Sequence, residues 1–141
     1  MGNLRIQFDE KEALRYFGAR PGDEQAKVTV DRAFLQLRNE VQPRNVIQQW
    51  SCRVLQGTDR EKGRVILEEG TEFVSSGLAR HLEGCDTLLL FGATLGARVD
   101  TALRRISIRS IAEGAAAQAV AASLIESYLD QQEVLWKQDL P

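Results

Sequence analysis

The residues best suited to chemistry lie between Gly92 and Arg109. Gly92-Ala93-Thr94-Leu95-Gly96 reads as a glycine-flanked turn at the end of an apolar block, Thr87 to Phe91, that is too short for a helix. Helical spacing follows: Val99, Ala102, Leu103 and Ile106 share one side, and Arg98, Asp100, Thr101, Arg104 and Arg105 fall on the others. A turn of this kind can aim backbone N–H groups at an anion, and Arg105 and Arg109 behind it are suited to a carboxylate or phosphate. The segment lacks both the G-x-G-x-x-G pattern and the Lys-Ser/Thr of a P-loop. The plainer readings are a structural turn, Thr94 as a helix cap, and arginines on a solvated face. Asp100 and Arg104, four apart with the acid first, read either as binding residues or as a surface pair worth about 0.3–0.5 kcal/mol.

Other chemistry has little support in the residues. No Ser or Cys sits in a nucleophile elbow, and His81 is the only histidine. Glu68 and Glu69 are adjacent, so their side chains diverge and do not make a glycosidase-like pair. Cys52 and Cys85 lie far apart without C-x-x-C spacing and read as small buried hydrophobes rather than a disulfide. The expectation is no catalytic residue and no metal site.

Those candidates need elements to hold them. A strand apolar on both faces needs cover on both, which predicts a mixed or parallel sheet between helices. With 141 residues, 43% hydrophobic and 27% charged, the chain reads as one domain spanning 1–141. Its class is α/β (α+β mixed), with a twisted mixed sheet, flanking helices and a long alanine-rich C-terminal helix. Residues 98–109 carry four arginines against one aspartate, and residues 110–141 carry five acids against one lysine. No basic excess with exposed aromatics points to nucleic acid. No run approaches the roughly 18 apolar residues of a membrane span, and the opening residues lack the apolar core of a signal peptide. A reduced, cytoplasmic protein is expected.

In chain order, Leu4, Ile6 and Phe8 alternate with polar residues and predict a short strand. Asp9 caps a helix closing at Gly18, and Asp23 caps a second, bearing Val28, Phe34, Leu35 and Leu37, that runs to about Val41 before Pro43. Arg44 to Leu55 predicts a strand and Arg64 to Leu67 its hairpin partner. Phe73-Val74 forms a further short strand, and Gly77 to Leu82 a short helix closed at Gly84. From Ile108 to Trp136 a single helix is expected, about 40 Å long, with Ile108, Ile111, Ala115, Ala119, Ala122, Leu129 and Trp136 on its buried side. The small residues of 112–123, with Tyr128 and Trp136, predict close approach to the sheet or a homodimer.

Leu89 to Arg105, in the arrangement A-T-L-G-x-x-V-D-x-x-x-R-R with an alanine-rich helix behind it, resembles the activation-domain family of cobalamin-dependent methionine synthase, particularly its short free-standing bacterial members. The likeness is good over 88–130 and loose elsewhere. It implies an α/β fold, a role in methionine biosynthesis beside a corrinoid-binding methyltransferase domain, and a cofactor-binding turn built from Thr94, Gly96, Asp100, Arg104 and Arg105. In the full domains S-adenosylmethionine supplies a methyl group to reduced cobalamin, returning an inactive enzyme to its cycle. The family's Arg-x-x-x-Gly-Tyr segment is not found in these residues, and Ala122 or Ser123 stands where the family has a glutamate. The expectation is therefore weak or no S-adenosylmethionine binding, no tightly bound cofactor, and an accessory role through protein contact. The alternative is a non-catalytic α/β interaction module that dimerises.

Overall fold

Helix α1 (Glu10–Phe17) begins where Asp9 Oδ1 accepts the Glu12 N–H at 3.1 Å and ends at Gly18 with φ 81°. This is the capping predicted for that stretch. In the computed structural model, which describes residues 6–140, the chain continues with α2 (Glu24–Leu37), β1 (Arg44–Leu55), β2 (Arg64–Leu67), β3 (Glu72–Val74) and α3 (Ser76–His81). Then come β4 (Thr87–Thr94), α4 (Ala97–Arg109) and α5 (Ile111–Asp139). Asp23 caps α2 through the Ala26 N–H at 3.0 Å. Residues 6–9 form no strand, and Leu4 of the expected strand lies outside the described residues. The mixed α/β class and the long C-terminal helix are as expected.

The described residues gather into two compact units. One holds the residues up to Arg44 and those from Ala93 on, and the other is Asn45–Gly92. In the first, α1, α2 and α4 all pack on α5. Its core joins Ala13, Val30 and Leu37 to Val99, Ile106, Val120 and Leu124, and Phe8 stacks on Phe34 at its margin with centroids 4.0 Å apart. α2 faces inward through Ala26, Val30, Ala33 and Leu37, whereas Val28 and Leu35, expected on that face, are exposed.

The last two helices are where the expected pattern fails most. One helix was expected from Ile108 onward, but Ser110, in extended conformation, divides α4 from α5. Its Oγ accepts the Glu113 N–H at 3.2 Å. The phase set by α4 therefore stops at Ser110, and Ile108 and Ile111 are 86% and 89% exposed rather than buried. Ala115 is exposed too, and the buried side of α5 includes Ala116, Ala117, Val120, Ala121, Leu124 and Tyr128. Most of the small-residue face is thus taken up within the chain, by α1, α2 and α4. Gly114 permits the closest approach: a Cβ there would lie 2.8 Å from Ser107 Cα.

The second unit is built on a sheet of order β3-β2-β1-β4. β1 pairs antiparallel with β2, Cys52 opposite Leu67, and β2 with β3, Val65 opposite Phe73. Cys52 N–H donates to Asp86 C=O and Gln42 N–H to Leu95 C=O, so β4 runs antiparallel to β1 as well. The sheet is antiparallel throughout, in place of the mixed or parallel one expected. Val65, Leu67, Ala79 and Leu88 are buried, with Trp50, Val54, Phe73 and Leu78 packed around them. β4 is an edge strand and is not buried on both faces: Leu90 and Phe91 are 41% and 50% exposed. The cysteines are free, Cys52 half-buried and Cys85 exposed, so neither is the buried hydrophobe expected.

Candidate functional site

The turn into α4 is shorter than its glycines suggest. β4 continues through Gly92 and Ala93 to Thr94, and a Cβ on Gly92 would meet Val46 Cγ2 at an ordinary 3.7 Å. Gly96 is the residue the turn requires. It has φ 100°, and a Cβ there would lie 2.9 Å from the Gln42 carbonyl oxygen. Gly96 is itself the N-cap of α4 and offers no side-chain cap. Thr94 does not cap the helix; its Oγ1 accepts the Gly96 N–H at 3.0 Å and so shapes the turn. Gln42 N–H donates to Leu95 C=O at 2.8 Å, tying this turn to the segment after α2.

From that fixed start, α4 turns Val99, Ala102, Leu103 and Ile106 into the core, as their spacing predicts. The other predicted site residues fall on two grooves. Asp100 and Arg104 line one of about 490 Å³ between α4 and α5, with Leu103, Ser107, Ile108 and Gln118. Arg105 lines another of about 200 Å³, with Glu40, Arg98 and Thr101. Among the described residues Asp100 and Arg104 form no ion pair, so the expected surface pair is not made. Asp100 instead lies in the first turn of α4, where a carboxylate favours the helix dipole.

Arg98 is the arginine that is engaged: its Nε donates to Glu40 Oε2 at 2.8 Å. Arg104, Arg105 and Arg109 are exposed, and none has an acidic partner among the described residues. At 100° per residue, Arg104, Arg105 and Ile108 share the outer face of α4, with Arg109 flanking it and Ile111 just past Ser110. The result is a basic face with the almost fully exposed Ile108 in it; Ile111, equally exposed, begins the next helix. Arginine forks beside bare aliphatic surface suit an acidic surface with apolar contacts of its own. Ile108 is the member that the sequence pattern conceals. The one available signal was Ser110-Ile111-Ala112-Glu113, a capping box that marks a new helix start.

Outside this region the candidates are scattered. His81 is an exposed residue in the last turn of α3. Glu68 and Glu69 belong to the turn between β2 and β3. No group of three or more His, Cys, Asp or Glu among the described residues is placed to hold a metal ion. No described helix is long and apolar enough to cross a membrane. No protein-family model matches this chain, and no curated protein matches it either.

Proposed function

We propose that the protein acts by contact, as a non-catalytic accessory protein whose working surface is the outer face of α4. The observation that carries this reading is the grouping of Arg104, Arg105 and Arg109, without acidic partners among the described residues, around Ile108 at 86% exposure. The family resemblance supplies the candidate partner, a corrinoid-binding methyltransferase domain whose reactivation the protein would assist. The helix that carries the face is the one in which that resemblance is strongest. Thr94, Gly96, Asp100, Arg104 and Arg105 are divided between a turn and two grooves. That division supports weak or absent S-adenosylmethionine binding, with cobalamin held by the partner. Calorimetric titration with a purified corrinoid domain, and separately with S-adenosylmethionine, tests the reading. Heat on adding the domain and little on adding the small molecule is the expected result; submicromolar S-adenosylmethionine affinity would overturn it.

A homodimer is the second reading, and β4 is what favours it. This edge strand carries no charge and no proline from Thr87 to Thr94, and Leu90, Phe91 and the neighbouring Val46 are exposed. Those are the features with which a strand edge pairs with a copy of itself. Phe91→Lys should then give a monomeric mass in light scattering where the parent chain gives a dimer. A monomeric parent at tens of micromolar removes this reading.

A further inference from the structure

The sheet unit holds a second chemically capable group, the two free cysteines. Cys52 Sγ lies 4.0 Å from the Cys85 carbonyl oxygen. The Cys52 N–H donates to the Asp86 carbonyl at 2.8 Å. That bond sets Cys52 opposite Asp86 and Cys85 diagonal to it, while the Sγ contact shows that Cys85 itself borders the Cys52 thiol. Disulfides form across Cα separations of about 4.4–6.8 Å. The two thiols differ in access: Cys85 is exposed in the turn after α3, and Cys52 is half-buried in the strand. Burial, and then the neighbouring Cys85 and Asp86, push the Cys52 thiol above its ordinary range. No third cysteine exists in the chain to compete.

We propose that Cys85 and Cys52 form a reversible dithiol site, in which Cys85 takes the oxidant and Cys52 resolves it into a disulfide joining β1 to the start of β4. The oxidant is a low-molecular-weight disulfide such as glutathione disulfide. The Cys85 thiolate attacks one of its sulfurs, the glutathione S–S bond breaks, and one glutathione leaves as a thiolate that takes up a proton. Cys52 gives its proton to solvent and attacks the Cys85 sulfur of the mixed disulfide, and the second glutathione leaves. Two protein thiols are oxidised, and one disulfide is reduced to two glutathione thiols. The loop so closed contains β2, β3 and α3, and with them most of the smaller core. Restricting the unfolded chain in this way should raise the thermal midpoint of the oxidised form.

The site is independent of the α4 face and is tested on the full chain with glutathione disulfide as the probe. Peptide mapping without reductant should show one Cys52–Cys85 crosslink within a single chain, reversed by dithiothreitol. Cys52→Ser should stop at a glutathione adduct on Cys85, and Cys85→Ser should lose the crosslink and react slowly at Cys52. The proposal is overturned if the parent chain carries separate glutathione adducts on both cysteines, if the disulfide joins two chains, or if the two single variants react at equal rates.

Discussion

Gly96 and Arg105 are governed by different physics although one helix carries both. Gly96 combines a φ of 100° with a space that the Gln42 carbonyl closes to 2.9 Å from any Cβ. A β-branched residue there meets backbone strain and a backbone clash together, so Gly96→Val should cost about 2–4 kcal/mol in denaturant unfolding. Arg105 is exposed and unpaired among the described residues, and Arg105→Ala should change stability by no more than about 0.5 kcal/mol. Equal losses in the two variants would make Arg105 structural and remove it from the proposed face. Glu10 supplies a test in pH. Its carboxyl is held above the usual range, first by a hydrogen bond with Asp31, then by burial and the Asp31 charge, with Lys27 acting in the opposite direction. A raised folded pKa means that its stabilising contribution is complete below the unfolded pKa and is lost as pH rises through the folded one. Glu10→Gln should therefore gain thermal stability over the parent chain at neutral pH relative to its difference near pH 4. A relative loss at neutral pH would contradict the assigned contact.

At the scale of elements, the legible features were those with local chemistry. The Asp9 and Asp23 caps, the left-handed Gly18 and the inward face of α4 each follow from a few neighbouring residues. Features decided by distant partners were not legible. The apolar run in β4 reads as a strand covered on both faces, but an edge position leaves Leu90 and Phe91 exposed. Ala115 and Ala116 look interchangeable in sequence, and only the packing of α1, α2 and α4 on α5 buries the second and not the first. The start of α5 is legible in Ser110-x-x-Glu113, against a run of good helix formers that only Gly114 interrupts. Gly114 measures how tightly those helices meet. Alanine is the better helix former by about 0.8–1 kcal/mol, yet its methyl would stand 2.8 Å from Ser107 Cα. Gly114→Ala should lower stability by about 1–3 kcal/mol despite the propensity gain. A rise in the unfolding midpoint would show that α4 and α5 are less closely packed than described.

Over the whole molecule, composition and periodicity indicate the α/β class, and neither indicates how the core is divided. Two clusters, one within the helices and one under the short sheet, arise because the sheet segments Asn45–Gly92 find their apolar partners among themselves. The strand-turn-helix segment that carries Thr94, Gly96, Asp100, Arg104 and Arg105 is present, and its α4 divides Asp100 and Arg104 from Arg105 between two grooves. The outer face of α4 is marked by the exposure of Ile108 among Arg104, Arg105 and Arg109, which periodicity does not show. The most direct test of that face is a calorimetric comparison of the parent chain with the Arg105→Ala, Ile108→Asp double variant, titrated against a purified corrinoid-binding methyltransferase domain. Both substitutions replace exposed side chains, so the thermal midpoint should move by less than about 3 °C. The predicted result is binding by the parent chain and at least about tenfold weaker binding by the variant, a loss of about 1.4 kcal/mol or more. Equal affinity in the two proteins, or no binding by the parent chain, would contradict the account.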